Sequence, residues 1–204
     1  MQVSKPETEG WLGKYAHNQF DNYQLKEYNA AIEATKQKRV AIDIGANLGI
    51  MSARMVKDFE FVHAFEPLFG EHLRKNVNAD NIKTYDYAVG DKPDTVTMRI
   101  GVYHSGGSNI ITNESKSSTQ VYQDVEVVTI DQYEFDNVDF IKIDVEGYEW
   151  QVLQGCKNTI DKNKPALLVE VKKANPNRND IFKFMKDFGY KFQFVAEEDL
   201  LFTL

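Results

Sequence analysis

Three short apolar runs, Arg39 to Ile44 (RVAIDI), Glu60 to Phe65 and Ile82 to Val89, are separated by two stretches of helical spacing, Leu48 to Lys57 and Leu68 to Val77. Strand, helix, strand, helix, strand is the order of a parallel sheet, because parallel neighbours need a crossover and the crossover helix covers a face. The same order returns in Val138 to Val145 (VDFIKIDV), a helix over Tyr148 to Ile160 and a strand over Ala166 to Val171. A helix over Arg178 to Phe188 then stops at Gly189, a residue suited to a C-cap. Phe192 to Ala196 and Leu200 to Leu204 read as closing strands, made antiparallel by the short turn Glu197-Glu198-Asp199. Between the two halves, Thr95 to Val102 and Gln120 to Ile130 alternate in the manner of antiparallel strands, and His104 to Ser118 is a Gly-, Ser- and Asn-rich loop. A first helix is predicted over Phe20 to Lys38, with Phe20, Tyr23, Tyr28 and Ile32 on one stripe. The pattern predicts a Rossmann-like α/β fold with helices on both faces of a mostly parallel sheet: a helical lead-in over residues 1–38 and one domain over residues 39–204.

The 204 residues suit one such domain. A net charge of −7 with no cluster of Lys and Arg argues against nucleic acid as a partner. A single cysteine, Cys156, excludes an internal disulfide framework and suits a reducing compartment. No His/Cys spacing matches a zinc site, residues Met1 to Lys14 lack the apolar core of a signal peptide, and no apolar run would span a bilayer. A soluble, cytoplasmic protein without a membrane partner is expected.

The first chemical signal is Asp43-Ile-Gly45-Ala46-Asn47-Leu-Gly49, where the first strand turns into a helix. Glycines there let a backbone approach a ligand closely, although such turns also serve tight packing. Glu66 ends the second strand about 20 residues after Asp43, where a carboxylate can accept ribose hydroxyls, or alternatively cap the next helix. Pro67 then stops the strand. A pyrophosphate loop would carry glycine at the position of Asn47 and no carboxylate beside it. Asp43 instead suits a ligand bearing an ammonium and a sulfonium, as S-adenosylmethionine does, and disfavours a dinucleotide.

The second signal, Asp144-Val-Glu146-Gly147-Tyr-Glu149, follows the Val138 to Val145 strand. Strand period puts Lys142, Asp144 and Glu146 on one face, and a lysine inside an apolar strand needs a partner, for which Asp144 and Glu170 are candidates. Three readings stay open here. Asp144 or Glu146 is a general base or an orienting group; the carboxylates hold a divalent cation; or they are acids at a helix N-terminus neutralised by Lys142. For Glu149 the last reading leads. His104, at the head of the polar loop, is a further candidate base, with simple solvation as the alternative.

These residues carry a resemblance to a known family. VAIDIGANLG (Val40 to Gly49), HAFEP (His63 to Pro67), YAVGD (Tyr87 to Asp91), HSGGSNI (His104 to Ile110), FIKIDVEGYEWQVLQG (Phe140 to Gly155) and LLVEV (Leu167 to Val171) make the chain similar to the FkbM family of S-adenosylmethionine-dependent methyltransferases. The resemblance implies a class I methyltransferase sheet of seven strands with the last antiparallel. It implies that Gly45 and Asn47 lie along the methionine part of the cofactor and that Asp43 helps hold its amino group, with Ala46 and Gly49 of the same turn also binding the cofactor. Glu66 would hold the ribose and Asp86, Tyr87 and Ala88 would lie near the adenine, with Pro67 and Asp144 also among the cofactor-binding residues. It implies methylation of oxygen, on a sugar or small hydroxylated metabolite. Where family members often carry a histidine after the LLVEV strand, this chain has Lys172, Lys173 and Ala174, so no histidine base is expected from that place. Two readings compete from other classes: a non-catalytic protein that keeps the nucleoside-cofactor fold, and a dinucleotide-dependent oxidoreductase. Trp11, Tyr15 and Phe20 either line an acceptor pocket or dock on the core. His17 belongs to the lead-in, His63 reads as a packed strand residue, His72 as helical and Cys156 as core.

Overall fold

The computed structural model describes residues 22–101, 107–111 and 117–204. The larger of two sheets holds seven strands: β1 (Val40–Ile44), β2 (Phe61–Phe65), β3 (Ile82–Tyr85), β8 (Val138–Ile143), β9 (Ala166–Glu170), β10 (Lys191–Phe194) and β11 (Asp199–Thr203), in the order β10-β11-β9-β8-β1-β2-β3. All neighbours are parallel except β11, which runs antiparallel to both β9 and β10. Strand order reverses between β1 and β8, the place where open α/β sheets receive ligands.

Both faces are covered, because side chains alternate along each strand and both sets are apolar. On one face Ile42, Ile44, Ile141, Ile143, Leu167 and Val169 meet α4 (Glu149–Gly155), α5 (Lys157–Asn163) and α6 (Arg178–Asp187) through Val152, Leu153, Ile160, Ile181 and Met185. On the other, Ala41, Phe140 and Leu168 pack with Met55 of α2 (Ser52–Asp58) and with Tyr28 and Ala31 of α1 (Leu25–Ala34). Tyr28 and Ala31 are three apart, so they share one helix face. Helix α3 (Gly70–Asn76) covers the flank through Leu73.

A second sheet, β4 (Ala88–Val89), β5 (Asp94–Ile100), β6 (Asn109–Ile110) and β7 (Val121–Val128), is ordered β4-β7-β5-β6. The β5–β7 pair is antiparallel, as the alternation predicts.

Five sequence expectations are corrected here. The run Ile82 to Val89 is two strands: β3 ends at Tyr85, and after Asp86 and Tyr87 the chain enters the second sheet as β4. The stretch Tyr148 to Ile160 is two helices, parted at Cys156, where Asp131 receives the N–H groups of Asn158 and Thr159 and so starts a new helix. Asp199 opens β11 instead of lying in the turn, and Asn109 and Ile110 within the expected loop pair with β5. Tyr23 precedes α1, which begins after Gln24 in a left-handed conformation. Among the described residues no helix is long and apolar enough to cross a membrane. Trp11, Tyr15, His17, Phe20 and His104 lie outside the described residues.

Candidate functional site

A cavity of about 450 Å³ opens at the carboxyl ends of β1, β2 and β8. Its walls come from both sheets, since Met98 of β5 and Ile110 of β6 face the same space as Asp43 and Lys142. That volume is in the range of small-molecule sites.

The β1–α2 turn is shaped by what surrounds it. Gly45 has φ +80°, and a Cβ there would stand 1.9 Å from the Asp144 carbonyl oxygen, so only glycine lets the turn cross the end of β8. The N–H groups of Gly45 and Ala46 both bond the Phe65 carbonyl, at 3.0 and 3.1 Å, and that of Asn47 bonds Glu66 Oε2 at 2.8 Å. Three successive donors are therefore spent within the chain and are not turned toward a phosphate. Gly49 does not line the cavity. Its absent side chain makes room for Leu73, which a Cβ would meet at 2.5 Å. The expected place of Gly49 along a cofactor is corrected accordingly: it packs α3.

Glu66 is buried, and its Oε1 also accepts from the N–H groups of Leu68 (2.8 Å) and Phe69 (3.1 Å). Burial pushes its carboxyl up, and the three N–H bonds act against that shift. The capping reading is thus part of what Glu66 does. A carboxylate has about four acceptor positions, so one is left for a ligand hydroxyl. Asp43 has no exposure at all, yet only Oδ2 is bonded, to Ser52 Oγ at 2.6 Å; Oδ1 is buried without a partner. Burial raises its carboxyl, while Lys142 and the Ser52 hydroxyl pull it back. A buried acceptor left open on a cavity wall is costly unless a donor from a ligand meets it.

At the β8 end, register places Lys142 beside Asp43 on one side and Leu168 on the other. Lys142 is 4% exposed and bonds Asp144 Oδ2 at 3.0 Å. Burial disfavours its ammonium, but Asp144 and Asp43 outweigh it and the net shift is upward. Glu146 pairs with Lys172. Glu149 is buried; it takes the Gly147 N–H at 2.7 Å and the Asn175 amide at 2.6 Å, and so fixes the turn without lining the cavity. Carboxylate oxygens of Asp144, Glu146 and Glu170 lie within 4.8 Å of one another.

The structure thus brings Asp43, Gly45, Ala46, Asn47, Glu66, Pro67, Tyr87, Ala88, Asp144 and Glu146 to one cavity. It does not bring Asp86, which is exposed and paired with Arg74 at 2.7 Å. That correction has a plain cause: Asp86 sits where the chain leaves one sheet for the other, pointing back to α3. Sequence reasoning missed Tyr23 and Ser52. Ser52 stands nine residues beyond Asp43, with no signal but its polarity on the buried face of a helix. His63 is packed as expected, stacked on Phe135 at 4.0 Å and lowered to about 4 by burial and by Lys83. Cys156 is buried core, its thiol pushed up by that burial.

The Methyltransferase FkbM domain family matches residues 43–192. Among solved structures the chain is similar to a methyltransferase FkbM from Methylobacillus flagellatus KT (TM-score 0.58, 19% identity), covering 81% of this chain but 43% of that one. It thus spans less than half of that relative. It is also similar to a precorrin-8w decarboxylase from Methanobacterium thermoautotrophicum (TM-score 0.53, 10% identity, 89% and 90% covered). A third is a precorrin-6y C5,15-methyltransferase from Geobacter metallireducens GS-15 (TM-score 0.50, 10% identity, 85% and 83% covered). At such identities these likenesses speak for the fold. No curated protein matches the chain.

Proposed function

From the premise that this chain belongs to the FkbM methyltransferase family, we propose that it uses S-adenosylmethionine to methylate an oxygen of a sugar or other small hydroxylated molecule. The observation that carries the cofactor is the fully buried Asp43, whose Oδ1 lacks a partner on the cavity wall. A cationic donor fits that oxygen, and the amino group of S-adenosylmethionine is one. Glu66 keeps an acceptor position for a ribose hydroxyl. Tyr87 and Ala88 line the same cavity, which supports a place for the adenine beside them. The spent N–H groups of the β1–α2 turn speak against the dinucleotide reading, which needs them for pyrophosphate.

When bound, S-adenosylmethionine supplies a methyl group on a positively charged sulfur. The chain's own residues then have two tasks: to hold the acceptor in line with that methyl, and to remove a hydroxyl proton. The acidic cluster at the ends of β8 and β9 supports the second task. The net charge of −7 favours a small or glycan acceptor over nucleic acid.

Calorimetric titration with S-adenosylmethionine, S-adenosylhomocysteine and NAD tests the cofactor. Binding of the first two and not of NAD is expected; the reverse order sinks the reading. Transfer of labelled methyl into a panel of methyl glycosides and polyols separates an enzyme from a non-catalytic relative of the same fold.

A further inference from the structure

We propose that Lys142 receives the carboxylate of the cofactor's methionine part, so that Asp43 and Lys142, side by side on β1 and β8, take the two charges of one α-amino acid. This rests on the S-adenosylmethionine reading above, in which Asp43 meets the amino group. The carboxylate on the same carbon needs a partner of its own.

The cavity repels an anion almost everywhere. Asp43, Glu66, Asp144 and Glu146 line it, and among the described residues on its wall Lys142 is the one with a positive charge. Backbone N–H groups at the turn into a helix are the usual alternative for holding an anion. Here those of Gly45 and Ala46 go to the Phe65 carbonyl, and that of Asn47 goes to Glu66. A ligand carboxylate that enters this space therefore meets Lys142 or meets repulsion.

Lys142 is equipped for that role. Its side chain is buried at 4% exposure, and among the described residues its hydrogen-bond partner is Asp144 Oδ2 at 3.0 Å. An ammonium has three N–H donors, so two remain on the cavity wall. Buried donors without acceptors are costly, and a carboxylate brings two oxygens to meet them. The strands supply the spacing. Asp43 and Lys142 are paired in register on neighbouring strands about 4.8 Å apart and leave the sheet on the same side, yet the ion pair of Lys142 is with Asp144 and not with Asp43. An ammonium and a carboxylate carried on one carbon fit between the two side chains. The charges then alternate from Asp43 through the ligand's ammonium and carboxylate to Lys142 and Asp144, each next to its opposite. A neutral hydroxyl taken by Lys142 instead would leave the ligand's anion unpaired among four carboxylates.

Calorimetry on the full chain tests this with two ligands that differ in one group. They are S-adenosylhomocysteine and its decarboxylated analogue, which keeps the nucleoside, the thioether and the ammonium. Wild type is expected to bind the decarboxylated compound about 10- to 100-fold more weakly, the worth of one charge-assisted hydrogen bond. Lys142→Gln should weaken S-adenosylhomocysteine by a similar factor and bring the two ligands to near-equal affinity. Lys142→Arg, which keeps the charge, should retain part of the preference. A crystal structure of wild type with S-adenosylhomocysteine depends on no variant's folding, and it should put a carboxylate oxygen within hydrogen-bond distance of Lys142 Nζ. The proposal is overturned if wild type binds the two ligands equally, if Lys142→Gln keeps the wild-type preference, or if the crystal shows the carboxylate on another group. Wild type that binds neither S-adenosylmethionine nor S-adenosylhomocysteine sinks the cofactor reading itself, a different result from equal binding of the pair.

Discussion

At the β1–β2 end of the cavity, Glu66 is held by three backbone N–H groups and Asp43 by a serine hydroxyl; at the β8–β9 end, Asp144 and Glu146 are each held by an ammonium. Neutral donors fix a carboxylate in place and leave its negative charge for whatever arrives. Ammonium groups neutralise the charge and leave a cluster in which one proton more or less can be carried. The first arrangement suits a cationic ligand, as the proposed reading requires; the second suits a group that carries a proton. Lys142 lies between them, next to Asp43 across the β1–β8 pair and bonded to Asp144, so the two ends are electrostatically joined through one buried side chain.

The hardest way to break this contrast is at the seam itself. Gly45→Ala should cost about 4 kcal/mol or more of unfolding free energy, because its Cβ has no room against the Asp144 carbonyl and φ is positive; urea unfolding measures it. Next comes Lys142→Met. Removing the ammonium leaves the buried Asp43 and the half-buried Asp144 without compensation, with an expected loss of about 3–5 kcal/mol. A loss no larger than that of an exposed-site control would show that the two ends are not joined through it.

Asp43→Asn should sharpen the contrast. Cofactor affinity by calorimetry should fall about 10- to 100-fold, the worth of one charge-assisted bond, with folding stability nearly unchanged. The smallest effect concerns pH. Glu170 is raised to about 8 and Asp199 to about 6, mainly by burial, so between ordinary carboxylate values and these the folded chain binds more protons than the unfolded chain. Stability should therefore fall as pH rises from about 5 to 8, by roughly 1 kcal/mol after solvent screening, and Glu170→Gln should flatten the slope.

Much of the fold is legible in the order of apolar runs, because each parallel strand demands its crossover helix. Asp43 and Lys142 are legible too, since a charge inside an apolar run asks for a partner. What the chain order does not reveal is who that partner is. The contact of Lys142 with Asp144 follows from strand period, but its closeness to Asp43 depends on β1 and β8 being neighbours across nearly 100 residues. Gly49 reads as a ligand contact from its glycine turn and Asp86 from the family resemblance, and only packing against α3 shows their other use. The break at Cys156 was hidden because the apolar spacing runs through it, while the cause, Asp131, comes from a distant turn.

The two sheets that share the cavity walls meet where the chain passes from β3 to β4 at Ala88 and Val89. Acidic recognition groups belong to the larger sheet, and the apolar panel of Met98 and Ile110 to the smaller. Substitutions in the panel can thus reshape the cavity without disturbing a single bond of Asp43 or Glu66. A chimera carrying a relative's β5–β7 segment on this framework would change that wall of the cavity and leave the Asp43 and Glu66 end intact.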